Sequence, residues 1–215
     1  MQHTDSAREQ IIRAAAHQFA HRSYSLVSLD DILREAELTK GAMYFHFRSK
    51  HALALALIDT QSEIMRNTIN QLLANKLSGL ETLVDICFSL AMQDVTDDLA
   101  KSSLHLLEAI GRTDDIQTRR LSEWVAAFTE ITRRAAEEGD LADTADPADV
   151  SRLLVAMYAG TRQVSDLENR AEYLRHLERA WLLVLPGFVR TDRLDYFAQF
   201  VRRRSTVAIR TVGRC

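Results

Sequence analysis

The chain has 215 residues, a formal net charge of −3 and 47% hydrophobic residues, enough for a sizeable core in one or two domains. Its acidic balance excludes a general basic coat, so any binding of nucleic acid must be local. Two prolines, seven glycines and two widely separated cysteines, Cys87 and Cys215, favour helix throughout and offer neither a disulfide framework nor a cysteine-based zinc spacing.

Taken in chain order, the apolar pattern is helical almost end to end. A first helix over about Ser6 to Arg22 carries Ile11, Ile12, Ala15, Phe19 and Ala20 on one face. Ser28 is a natural N-cap for a second helix, with Asp30 and Asp31 in the first turn, where the helix dipole favours anions. Leu38 and Thr39 make a short turn into a third helix, Lys40 to Phe47, and Ser49 caps a long fourth one through "KHALALALIDTQSEIMRNTINQLL". "SGLETLVDICFSLAMQDV" and "DDLAKSSLHLLEAIG" read as two more, followed by "QTRRLSEWVAAFTEITRRAAEEG", which ends at Gly139. Asp146-Pro147 starts a further helix, and another, about Ala171 to Leu185, is broken by Pro186-Gly187. The last helix is expected to be short, giving way to a frayed basic tail, "VRRRSTVAIRTVGRC". "MQHTDSAREQ" lacks the apolar core of a secretory signal, and no apolar run approaches the ~20 residues of a membrane span, so a soluble cytoplasmic protein with no membrane partner is expected.

One stretch departs from the mixed charge of the rest. From Leu38 to Ile58 there is no Asp or Glu, while Lys40, Arg48 and Lys50 supply positive charge and His46 and His51 further donors. Two helices joined by a very short turn, the second carrying charge of one sign, make a helix-turn-helix. Met43 and Phe47 share the inward face with Ala36 and Leu38, and Lys40 and Tyr44 lie on another face near Thr39 and His46. Gly41 allows close approach to a phosphate at the helix N-terminus, and Tyr44 and His46 can donate to phosphates. Lys50 is placed to clamp a nucleic-acid backbone from the side, and Phe45 is expected to pack beneath the fourth helix.

"SLDDILREAELTKGAMYFHFRSKHALALALI" resembles the DNA-binding domain of the TetR family of transcriptional regulators. The resemblance implies an all-α homodimer: a helix-turn-helix three-helix domain over 1–50, then a helical effector-binding and dimerisation domain over 51–215. It implies DNA contacts from Thr39, Lys40, Gly41, Tyr44, His46 and Lys50, with Ser28 touching the backbone. "TKGAMYFHF", "LSEWVAAFTEI" and "DPADVSRLLVAMYAGTRQVS" are further similar to the gamma-butyrolactone receptors of actinomycetes, whose related pseudo-receptors answer to antibiotics. That likeness implies that Trp124 walls an effector pocket.

The residues themselves leave alternatives. Trp124 sits among Leu121, Val125 and Phe128, a stripe that serves a core as well as a pocket, and Cys87, Phe88 and Met92 either line a pocket or fill space. His105 and His176 are expected to be hydrogen-bonded structure. The Asp146-led helix and the Leu174–Leu185 helix, with Trp181 at the centre of the latter, carry apolar stripes wide enough for a dimer interface, and Trp181, like Trp124, serves a core equally well. A ligand-responsive repressor, binding a pseudo-palindromic double-stranded operator and released by a small apolar effector such as a gamma-butyrolactone or butenolide, is therefore expected. The alternative is a DNA-binding architectural protein without an effector. No enzyme is expected, because di-iron, His-Glu-x-x-His, phosphate-loop and Gly-x-Ser-x-Gly motifs are absent, and no cofactor or metal set is expected either.

Overall fold

The computed structural model describes residues 6–112 and 115–214, which include ten α-helices and, outside them, a single β-bridge between Leu141 and Val189. Cys215 lies outside the described residues. The helices pack as two compact units, one within 1–66 and 97–117, the other within 67–96 and 118–215. No helix among the described residues is long and apolar enough to cross a membrane.

The first unit is built on α1 (Ala7–His21), whose N-terminus is closed by a reciprocal cap: the Glu9 amide donates to the Ser6 hydroxyl and the Ser6 amide to the Glu9 carboxylate. Ser28 and Asp31 repeat the device on α2 (Leu29–Ala36). Glu37 then turns the chain in a left-handed conformation, φ 55°, without glycine, and Thr39 caps α3 (Lys40–His46). Ser49 caps α4 (Lys50–Leu73) by accepting from the Ala52 amide at 3.0 Å. Ile11, Ala15, Phe19, Ile32, Met43, Leu53 and Leu57 form the shared core. Leu106, Ile110 and Ile116 complete it, because α6 (Asp98–Ile110) lies along α1.

The second unit is centred on α5 (Gly79–Thr96), buried nearly all round. Gly79 permits a close crossing with α7 (Ile116–Glu137), since a methyl group there would stand 2.5 Å from the Ala135 nitrogen. Gly139, at φ +78°, closes α7 as expected. Asp146 caps α8 (Pro147–Val164) through the Ala148 and Asp149 amides, and α9 (Arg170–Val184) runs into a 3₁₀ turn at Pro186.

One expectation is corrected here and one alternative is decided. The C-terminal tail is no frayed end but a 19-residue helix, α10 (Leu194–Val212), packed on α5 and α9. Phe197, Val201, Ser205, Ala208 and Val212 recur every three or four residues on its buried face with Phe200 beside them; Arg202 and Arg203 are exposed, and Arg204 pairs with the buried Asp85. Trp181, open from the sequence between the core and the centre of a dimer helix, is 0% exposed in the single chain and belongs to the core.

Candidate nucleic-acid interface and effector-facing residues

The interface is raised on a buried footing. Met43 and Phe47 reach into the first unit's core, with Ala36 and Leu38 packed against it, so α3 has one orientation only. The opposite face is then fixed outward. Thr39 accepts from the Ala42 amide at 3.3 Å and keeps its own hydroxyl proton. Lys40 reaches 3.0 Å from the Asp30 carboxylate, an exposed pair that raises the lysine pKa through hydrogen bonding and charge. Gly41 faces open space, where an added Cβ would meet only Thr39 Oγ1 at 3.8 Å. Tyr44 is exposed and His46 half-buried.

Phe45 was missed. Instead of packing beneath α4 it is 84% exposed, its ring edge-on to His46 at 5.0 Å. The signal was present: Phe45 is four residues beyond Gly41, on the face that points away from Met43 and Phe47. Leu26, also strongly exposed, was not read as a surface residue either.

Two expected DNA contacts have other work in the structure. The Ser28 hydroxyl donates to Asp31 Oδ2 at 2.7 Å and accepts from the Asp31 amide at 3.1 Å. Lys50 Nζ donates to the carbonyls of Tyr24 and Val27 at 2.8 and 3.0 Å, with the Tyr24 ring 4.4 Å away. Its ammonium keeps one N–H beyond those two. Lys50 thus holds the chain that leads into α2, a task the sequence did not reveal.

In the second unit, Trp124 of α7 is half-buried, with its ring 6.2 Å from that of Tyr158 on α8. Tyr158 donates its hydroxyl to Asp94 of α5, Tyr173 of α9 donates to the same oxygen at 3.1 Å, and Arg162 pairs with the other oxygen at 3.1 Å. Burial pushes the Asp94 carboxyl up, against the pull of Arg162, and it also pushes both tyrosines well above their usual 10. Along α7, Leu121 is partly exposed and Phe128 buried. Cys87 and Phe88 are wholly buried on α5, where the Cys87 thiol meets Trp181 and burial pushes its pKa up to about 12. So Trp124 meets Tyr158, whereas Cys87 meets Trp181. His105 Nδ1 donates to the Phe19 carbonyl at 3.1 Å, and His176 Nδ1 shares a hydrogen bond with the Ser165 hydroxyl at 3.1 Å, so both are hydrogen-bonded structure.

Residues 11–57 match the family model of bacterial regulatory proteins of the tetR family, and residues 77–190 match that of the tetracyclin repressor-like C-terminal domain, which alone spans more than half the chain. The chain belongs to the TetR family. It is 28% identical over 179 residues to the A-factor receptor protein of Streptomyces griseus, covering 82% of this chain but only 62% of that receptor's length. A crystal structure of a gamma-butyrolactone receptor (ArpA-like protein) matches at 28% identity and TM-score 0.78, covering 93% of this chain and 96% of the other. The TetR family protein CprB from Streptomyces coelicolor, solved with its biological operator sequence, matches at 27% identity and TM-score 0.76, covering 94% and 98%. In this TetR family chain the matched N-terminal segment includes α2 and α3 whole, so the outward face of α3 lies inside it.

Proposed function

We propose that this TetR family chain is a cytoplasmic, ligand-responsive transcriptional repressor that binds a pseudo-palindromic operator as a homodimer. The observation that carries the reading is the outward face of α3, where Lys40, Gly41, Tyr44 and Phe45 project from a helix whose other side is locked into the core. Lys40 exchanges Asp30 for a phosphate or a guanine edge, Gly41 admits the backbone, and Tyr44, His46 and Thr39 donate to phosphates. Ser28 and Lys50 act chiefly by holding the segment before α2, with the remaining Lys50 N–H available to a phosphate. Phe45 packs on sugar or a thymine methyl.

The effector is a small, largely apolar molecule carrying a few hydrogen-bonding oxygens, as in a gamma-butyrolactone or butenolide. Trp124 offers it an apolar wall, and Leu121 and Phe128 flank that wall on the same helix; Cys87 and Phe88 support the site from the core. The dimer face is supported by outward apolar and small residues on α8 and α9, namely Leu153, Ala156, Gly160 and Val164 on the first and Leu183 on the second.

The test is a mobility shift on the DNA upstream of the protein's own gene, repeated with candidate lactones and antibiotics. Specific retardation that a lactone reverses, and that Trp124→Ala makes irreversible without loss of fold, is expected. Retardation no stronger than on random DNA sinks the reading. Specific binding that no ligand reverses favours the architectural alternative.

A further inference from the structure

Two histidines on α1 stand one helical turn apart, in "HQFAH", and both turn toward the first residue of α6. His17 Nδ1 lies 2.8 Å from one oxygen of Asp98 and His21 Nε2 lies 3.5 Å from the other. The two rings are 4.8 Å apart at 63°. One ligand atom from each of the three residues falls within 4.8 Å of the others. The two nitrogen–oxygen separations, made to different oxygens of one carboxylate, bracket the edge of a tetrahedron with bonds of ~2.0–2.1 Å, roughly 3.3 Å, and rotation of these exposed side chains closes the wider span.

From this convergence we infer that His17, His21 and Asp98 form a binding site for a divalent transition-metal ion such as zinc, cobalt or nickel. Three further features fit. Histidines at i and i+4 present their nitrogens on one face of a helix, a spacing suited to chelation. Glu35 Oε1 stands 3.9 Å from His17 Nε2, beyond hydrogen-bond reach, and sets a negative charge on the side of the ring's second nitrogen, where outer carboxylates stand in histidine metal sites. Finally, His17 and Asp98 line a cleft of about 850 Å³ that is also bordered by Glu9, Glu35, Glu37 and Asp97, an acidic approach for a cation. All three ligands lie in the first unit and leave a fourth position to water. Imidazole with one carboxylate selects borderline metals over magnesium. The bound ion ties α6 to α1. The pair is neither a cysteine spacing nor His-Glu-x-x-His, and its third ligand is distant in the chain, so the sequence pattern alone does not reveal it.

The experiment uses the full-length untagged chain, freed of metal by chelator and titrated with cobalt, zinc and magnesium chlorides. One cobalt per chain with visible absorption bands, displaced by zinc and abolished by EDTA, is expected, along with a higher melting temperature in zinc and none in magnesium. His17→Ala with His21→Ala should weaken binding well over tenfold, since loss of an outer partner alone costs about 10–100-fold. Asp98→Asn should weaken it also. Absence of stoichiometric binding, or undiminished binding by the double variant, overturns the site. Should that variant misfold, histidine-ring NMR of the wild type decides. Zinc should perturb His17 and His21, and perturbation of other histidines alone overturns the assignment. No DNA enters these measurements, so they stand apart from the operator reading.

Discussion

At Gly41 the fold itself makes no demand for glycine: the position is exposed, helical and open. Gly41→Ala should therefore keep or raise the melting temperature, because alanine is favoured in a helix by ~0.8–1 kcal/mol. Operator affinity should nevertheless fall, by on the order of tenfold if one backbone hydrogen bond to phosphate worth about 1.5 kcal/mol is lost. Fluorescence anisotropy beside thermal melting separates the two, and a lower melting temperature with unchanged affinity reverses the assignment. Lys50 should behave oppositely. Removing its ammonium leaves the Tyr24 and Val27 carbonyls without that donor, so Lys50→Ala should destabilise the first unit by ~1–3 kcal/mol before any effect on DNA is counted. Denaturant unfolding of the free protein tests this; wild-type stability with weaker DNA binding restores Lys50 to a simple phosphate clamp. The sequence showed that the lysine was cationic, and it could not show that two carbonyls more than twenty residues away would claim it.

On the scale of a helix, the cap on α2 makes acid sensitivity predictable. The Ser28 hydroxyl first, and then its backbone N–H, hold the Asp31 carboxyl below its ordinary 3.8. A depressed carboxyl contributes stability that is present above the unfolded value and lost as pH falls through the lowered folded value. Ser28→Ala should return Asp31 toward 3.8 and shrink that acid dependence, as read by carboxyl NMR titration; an unmoved Asp31 makes the arginines, not the cap, the cause. Helix starts were the most legible part of this chain, because Ser28, Thr39, Ser49 and Asp146 bond to amides only two or three residues ahead. The inward face of α3 was equally legible from Met43 and Phe47. The end of α10 was not, since an arginine-rich stretch reads as tail until α5 and α9 cover its apolar side. Phe45 was misplaced and Trp181 left open for the same reason: an aromatic ring says that something will cover it, and only the tertiary arrangement says whether that is the core, a partner or DNA.

For the whole molecule, burial decides which substitution tests assembly. Leu183 is 80% exposed and Trp181 is 0% exposed on the same helix. Leu183→Glu should give folded monomers with weakened operator binding, as measured by analytical ultracentrifugation and mobility shift. Trp181→Glu should unfold the chain, because it places an unpaired charge in the core. A dimeric, operator-binding Leu183→Glu protein moves the interface away from α9.

The first unit also has a history imposed by the ribosome. Its core is assembled from two stretches of chain, and α6, which supplies Leu106 and Ile110 to the layer beneath α1, is separated from residue 66 by the whole of 67–96. At about 5–20 residues per second, translation takes on the order of 3–10 s to pass from residue 66 to 117. During that interval the nascent recognition module lacks α6 against α1. A chimera that exchanges operator specificity by splicing at residue 66 sets a foreign α1 against the acceptor's own α6, a mismatched core unless 97–117 is transplanted with it.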